Sequence, residues 1–355
     1  MYFDPKPKTQ KDDLYDFEKE FKEVVTAIKR NERIIVIRGL RRTGKTSLMK
    51  VIQNQIKIPS AFLDGRIIEP KRKEVYTSLL QAAIEGIERK HLSLTLINSL
   101  KELTINLMGI NVGFALRISQ AFESLDEYLE KHSQRFVFFL DEVQTLKAGN
   151  VDGIIAHLFE NTKNFIFVLA GSEVGLLDEL VGGKADGHLF GRPKEIIELH
   201  PLTRDQSLEF LKKGFEQIHK RPRDLEKYVN ELDGIIGWLT LFGYYSIKMP
   251  LSKALTHTKK DAAQITAQEI QRFLSNRELA KHRYLHILKA AADGITWTEA
   301  KYILEAKEGK PINDKSVSKY LQELIRYGFL VKNKGLYILA DPLVKEGIKL
   351  LTPGK

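Results

Sequence analysis

Residues 34–49 read IIVIRGLRRTGKTSLM. Four apolar residues, Ile34 to Ile37, stop at Gly39, and Gly44-Lys45-Thr46 then opens a segment with apolar residues at helical spacing, Leu48, Met49 and Ile52. This is the pattern G-x-x-x-x-G-K-[ST] in the strand–loop–helix setting it requires. Glycines let the backbone curl so that consecutive amides face inward, and the helix start adds the positive end of its dipole, which together suit a polyphosphate. Gly39, Leu40, Arg41, Arg42, Thr43, Gly44, Lys45, Thr46 and Ser47 are therefore the candidate nucleotide contacts. Within them Lys45 reaches the β- and γ-phosphates and the Thr46 hydroxyl ligates Mg²⁺. The bland alternative, a glycine turn before an ordinary helix, needs four positions and two flanking elements to coincide by chance.

Upstream, Leu14, Phe17, Phe21, Val24, Val25 and Ile28 recur at three- and four-residue spacing and predict an amphipathic helix. Phe3 to Gln10 contains two prolines and reads as extended. Downstream, Ser60–Leu63 reads as a strand ending at Asp64-Gly65-Arg66, and Val75, Leu79, Leu80, Ala83, Ile84 and Ile87 mark a helix. Leu96, Ile97, Leu100 and Leu103 suggest another helix. Alternation at 110, 112, 114, 116 and 118 suggests a short half-exposed strand, before a helix carrying Phe122, Leu125, Tyr128 and Leu129.

The next apolar run, Phe136 to Leu140, fits a strand covered on both faces and ends in Asp141-Glu142. An acidic pair at the carboxyl end of such a strand, about 100 residues after a phosphate loop, suits metal-assisted phosphoryl transfer. Asp141 holds Mg²⁺ through water in this reading, and Glu142 orients and deprotonates the attacking water; a strand-ending acidic turn is the alternative. Phe165–Ala170 is a further buried strand, and Ser172 after it contacts the γ-phosphate or the water, or merely ends the strand. The glycine-rich stretch LVGGKADGHLFGRP reads as a loop ending near Arg192, before a fifth strand at Glu195–Leu199. Arg192 either reaches a neighbouring subunit's nucleotide or serves its own chain. Alternating strands and helices call for an α/β sheet with right-handed crossovers, the carboxylate strand lying beside the phosphate-loop strand and the ligand at the sheet's carboxyl edge.

Beyond Pro201 the strand pattern ceases. Thr203 reads as a helix N-cap before Leu208, Leu211, Phe215 and Ile218, and helices follow around 225–232, 237–245 and 262–279. They make a helical lid in which Gly234 to Trp238 marks a close approach of two lid helices. From Lys281, three helices and a hairpin turning at Asn333-Lys334-Gly335 read as a winged helix. Val317, Tyr320, Leu321 and Leu324 face its core. Lys315, Lys319 and Arg326 fall on or near the exposed side of the third helix, with Lys332 and Lys334 at the hairpin tip, an arrangement suited to duplex DNA. The three units span 1–201, 202–280 and 281–355.

The 355 residues allow two or three domains, and 43% hydrophobic with 29% charged residues describes a folded, soluble chain. Without cysteine there are no disulfides or thiolate metal sites. No secretory leader or long apolar run appears, so no membrane association and a cytoplasmic location are expected. The net charge of +10 favours a polyanionic partner, and residues 281–355, with 14 Lys and Arg against 8 Asp and Glu, carry +6 of it. A solvated lysine-rich surface is the competing explanation.

GLRRTGKTS, FVFFLDEVQ, LAGS, LFGRP, LDGIIGWL and YILADPLV occur in that order. With them the chain resembles the archaeal ATPase family, a branch of the AAA+/STAND group of P-loop proteins, over essentially its whole length. The resemblance implies a P-loop core with strand order 5-1-4-3-2, a helical lid and a C-terminal winged helix. It also implies ATP or ADP with Mg²⁺ as ligands, and Gln144 in the nucleotide crevice. The family's Gly-Arg near the amino terminus has no counterpart around Thr9-Gln10-Lys11. Ile236 stands where the related group often has Pro, and no Arg or Lys closely follows GIIGW to act as a second sensor. Two functions follow: a slow ATPase switch coupled to DNA, with a homo-oligomer forming on ATP binding, or a nucleotide-holding scaffold whose winged helix binds protein.

Overall fold

The computed structural model describes residues 1–88, 114–182 and 187–351. Within the first 200 residues it holds strands β1 (Ile34–Gly39), β2 (Ser60–Asp64), β3 (Phe136–Asp141), β4 (Phe165–Gly171) and β5 (Glu195–Leu199). The helices there are α1 (Glu18–Lys29), α2 (Lys45–Gln55), α3 (Arg72–Glu88), α4 (Phe114–Lys131), α5 (Val151–Asn161) and α6 (Val174–Leu180). All five strands are parallel, in the order β2-β3-β4-β1-β5. That is the order the family resemblance implies. The strands beside β1 are nevertheless β4 and β5, not the carboxylate strand β3, which corrects the simpler expectation of direct adjacency.

Side chains two apart on a strand share a face, and here the two sets enter two cores. Ile34, Val36, Phe136, Phe138, Phe165 and Phe167 pack with α3, α4 and α5, while Ile35, Ile37, Val137, Phe139, Ile166 and Val168 pack with α1 and α2. Every residue of β3 and β4 is buried, as a sheet covered on both faces demands. The short strand expected over 110–118 is not borne out beyond 113, because α4 begins at Phe114; Ile118, Phe122, Leu125 and Leu129 form its buried stripe. The rest of that strand, and the helix expected from Leu96 to Leu103, lie outside the described residues.

The lid comprises α7 (Arg204–Glu216), α8 (Glu226–Leu232), α9 (Ile236–Lys248) and α10 (Leu251–Leu274). Thr203 caps α7 in a reciprocal capping box with Gln206. The last lid helix starts eleven residues earlier than its apolar spacing suggests and stops before Leu279. Pro250 fits its N-terminus, since proline is tolerated where no amide hydrogen is needed. Phe3, from the extended amino terminus, is fully buried in this lid against Gly214 and Gly243, where a Cβ on either glycine would strike its ring.

The last unit holds α11 (Lys281–Ala290), α12 (Trp297–Glu308), α13 (Asp314–Arg326), the antiparallel pair β6 (Leu330–Asn333) and β7 (Leu336–Leu339), and α14 (Val344–Leu351). Val317, Tyr320, Leu321 and Leu324 are buried as their spacing predicts. Lys334 and Gly335 both take positive φ at the hairpin tip, the conformation a tight two-residue turn requires. Helix α14, absent from the sequence reading, crosses α10 so closely that a Cβ on Gly347 would meet the Ala267 amide at 2.6 Å.

Candidate nucleotide site

Gly44 enters α2 at φ 97°, a left-handed conformation that strains any residue with a side chain. Space forbids one as well, since a Cβ there would lie 2.9 Å from the Phe17 ring. The Lys45 ammonium is buried and donates to the carbonyls of Gly39 (2.7 Å) and Leu40 (2.6 Å), and Thr43 donates to the Leu40 carbonyl at 2.8 Å. Burial pushes Lys45 down to about 8, against the opposing pull of the Glu142 and Asp141 carboxylates. The lysine thus folds back on its own loop, where a polyphosphate would offer it oxygens of full charge.

Across the crevice, the Thr46 hydroxyl donates to Asp141 Oδ2 at 2.6 Å. Burial raises the Asp141 carboxyl, and the Thr46 hydrogen bond works against that rise. Two hard oxygens this close fit Mg²⁺, which takes one or two protein oxygens and completes its shell with water and phosphate. Among the described residues no group of three or more His, Cys, Asp or Glu offers an all-protein cage.

Glu142 sits at φ 49°, ψ 41°, and its amide donates to Asp141 Oδ1 at 3.0 Å. Its Oε2 accepts three hydrogen bonds, from Gln144 Nε2 (2.6 Å), the Ser172 amide (3.1 Å) and the Ser172 hydroxyl (2.9 Å). Ser172 and Gln144, named separately from the sequence, therefore meet on one carboxylate oxygen. The intervening strand β4 explains this, since it delivers Ser172 between the phosphate loop and the acidic pair. Gln144 Oε1 is buried without a partner and presses on Gly171, which has no room for a Cβ beside it.

The loop's other side behaves differently. Arg41 donates to the Tyr327 carbonyl and to Glu173 Oε1, both at 2.8 Å, and lies over the Phe329 ring. Arg42 pairs with Glu269 at 2.6 Å and Asp341 at 3.5 Å, and stacks 4.2 Å from the Trp238 ring centroid. Trp238 Nε1 donates to both Asp341 oxygens, at 3.0 and 2.8 Å. The close approach expected between two lid helices at GIIGW is instead one between lid and loop: the Gly237 amide donates to the Arg42 carbonyl at 3.0 Å. A Cβ on Gly237 would lie 2.7 Å from that of Arg42, and one on Gly234 would collide with the Leu202 carbonyl.

A cavity of about 750 Å³ opens over Lys45 and Thr46. Leu14, Phe17 and Ile236 supply apolar lining, and Asp4 to Lys8 of the amino terminus, Glu142, Ser172 and Arg66 border it too. The Lys8 amide donates to Ser47 Oγ at 3.1 Å, tying that terminus to α2. The sequence alone assigns no role to Arg66, Glu173, Glu269 or Asp341, although Arg66 closes the turn after Leu63 and Asp341 lies inside YILADPLV. Arg192 lies outside the lining and is bonded to Glu160 and the His188 carbonyl of its own chain. Lys315, Lys319, Lys332 and Lys334 are exposed. Arg326 departs from that set: it pairs with Glu179 of α6, and a Cβ on Gly175 would lie 2.6 Å from its Cα, so this end of α13 is docked on the core.

Residues 14–242 match the model of a family described as an ATPase domain predominantly from Archaea. The chain belongs to this archaeal ATPase family. Residues 278–339 match the C-terminal winged helix-turn-helix domain of MCM proteins. Among solved structures, the chain resembles the Walker-type ATPase PABY2304 of Pyrococcus abyssi, with 26% identity, TM-score 0.81, and 98% of this chain and 100% of that one covered. The Aeropyrum pernix ORC2 protein, solved in ADPNP–ADP complexes, shares the fold at 13% identity and TM-score 0.61, covering 99% of this chain and 96% of that one. No curated protein matches in sequence. Among the described residues no helix is long and apolar enough to cross a membrane.

Proposed function

We propose that this chain binds ATP with Mg²⁺ in the cavity over Lys45 and hydrolyses it slowly, as a cytoplasmic AAA+/STAND-type switch whose winged helix binds duplex DNA. The observation that carries the reading is the 2.6 Å contact of Thr46 with Asp141, beside a Glu142 carboxylate oriented by Gln144 and Ser172. Mg²⁺, held by Thr46 and by Asp141 through water, would neutralise phosphate charge. Lys45 would leave its carbonyls for the β- and γ-phosphates, and Glu142 would take the proton of the attacking water. The base would occupy the apolar part of the lining formed by Leu14, Phe17 and Ile236.

The same loop carries Arg41 and Arg42 to the lid and the winged helix, so a phosphate held there has a physical route to bias docking. A ligand shifts two states only through different affinities for them. We place the working units at 1–201, 202–280 and 281–355, and assign Lys315, Lys319, Lys332 and Lys334 to DNA phosphates. Arg326 joins them only when it leaves Glu179. Arg192 would serve a neighbouring nucleotide, in an oligomer formed on ATP binding, only after leaving Glu160. The docked end of α13 favours a second reading, a nucleotide-holding scaffold whose winged helix contacts protein.

Turnover measured with and without duplex DNA separates the two. Acceleration by DNA supports the switch, whereas unchanged turnover with no retention on DNA at low salt selects the scaffold. Glu142→Gln should bind ATP yet hydrolyse it at least about 100-fold more slowly. Parental rates in that variant would remove Glu142 as the base.

A further inference from the structure

The turn after β2 is bonded to the acidic pair. The ladder sets Asp64 opposite Asp141, and the Gly65 amide donates to the Asp141 carbonyl at 2.8 Å. A Cβ on Gly65 would stand 2.6 Å from Thr145 Oγ1 and 2.8 Å from the Glu142 carbonyl, so the turn lies flush against the pair's backbone. Arg66 rides on that turn and lines the cavity with Lys45 and Thr46. Its Nε and one terminal nitrogen bond the Asp64 carboxylate, at 2.6 to 3.1 Å. The side chain is 59% exposed, and the charges of Asp141 and Glu142 both act on it. The loop arginines are committed elsewhere, Arg41 to Glu173 and Tyr327, Arg42 to Glu269 and Asp341.

We propose that Arg66 is a catalytic arginine of the same chain, moving from Asp64 to a γ-phosphate oxygen as charge spreads over the transferring group. The inference rests on the nucleotide reading of the cavity. In the step it serves, the water oxygen bonds to the γ-phosphorus while the bond from that phosphorus to the β–γ bridging oxygen breaks. The electron pair stays on ADP, and the water proton passes to Glu142. Arg66 exchanges no atom; its forked guanidinium balances charge on the equatorial oxygens. Asp64 is its resting partner, holding it beside the reaction without blocking the entry of nucleotide.

The full-length protein tests this through ATP affinity, ADP–aluminium fluoride affinity and single-turnover hydrolysis of the parent, Arg66→Ala and Arg66→Lys. The expected result is a fall in the Ala variant's hydrolysis of about 10- to 100-fold, less than the effect of a dedicated arginine finger because solvent reaches the group. ATP affinity should stay within about threefold, aluminium fluoride affinity should fall with the rate, and Lys should restore part of both. Parental hydrolysis in Arg66→Ala, or equal losses of ATP and aluminium fluoride affinity with an unchanged rate, would overturn the assignment. Failure of the parent itself to bind nucleotide would reject the site reading beneath it, a separate and recognisable result.

Discussion

The two sides of the phosphate loop differ in how far their partners lie along the chain. On the inner side, Lys45 and Thr46 meet loop carbonyls and Asp141, all within residues that the motif and its companion strand already name. On the outer side, Arg41 and Arg42 meet Glu269, Tyr327 and Asp341, more than 200 residues away. A nine-residue loop is thus both the floor of the cavity over Lys45 and Thr46 and a clasp for two other units. The contrast teaches that a motif's fixed letters report its chemistry, while its variable letters report what the rest of the molecule has placed against it.

The comparison breaks most visibly at Lys45. Lys45→Ala should lower ATP affinity by about 100-fold or more, because a desolvated cation facing a polyphosphate has no substitute in solvent. The winged helix should remain docked through Arg41 and Arg42. Calorimetry beside limited proteolysis reads both, and normal ATP binding would dissolve the inner half of the distinction.

The outer half is sharpened at Asp341. Asp341→Ala leaves Trp238 Nε1 and the Leu343 amide without their acceptor and should cost about 1–3 kcal/mol in urea unfolding. Asp341→Asn retains an acceptor and should cost little at neutral pH. Burial raises the Asp341 carboxyl above its ordinary 3.8, although Arg42 pulls it down. The folded chain therefore binds more protons than the unfolded one between 3.8 and the raised value, so this group's contribution is present at low pH and is lost as pH rises through that window. The Asn variant should lack this component. A parental pH dependence in Asp341→Asn would show that the carboxyl does not titrate differently on folding.

The smallest effect concerns α13, whose N-terminal lysines are exposed while Arg326 is tied to Glu179. Replacing Lys315 and Lys319 by Ala together should reduce the salt slope of duplex binding by about 2. An unchanged slope would move DNA, if bound, to another surface.

Much of this was legible in the letters. Apolar runs ending in Gly39, Asp141 and Gly171 mark strands because a sheet buried on both faces tolerates little else, and Thr203 announces a helix start by local chemistry. The alternation from Phe114 to Ile118 misled because alternation over a few residues does not exclude a helical stripe, as Ile118 and Phe122 show. Arg66 escaped notice because nothing about a turn arginine tells which strand will lie beside it. Gln144 and Ser172 were recognised individually, yet their meeting on Glu142 depends on β4 lying between β1 and β3.

The amino-acid order by itself determined the phosphate loop, the acidic pair, the α/β core and the winged helix, because each rests on short-range periodicity, glycine freedom or strand-end chemistry. Tertiary structure alone decided that Arg42, Trp238 and Asp341 form one clasp, that Arg326 is spent on the core, and that Arg66 borders the cavity over Lys45. Those contacts join residues far apart in the chain, and their energy exists only after the backbone has closed the distance.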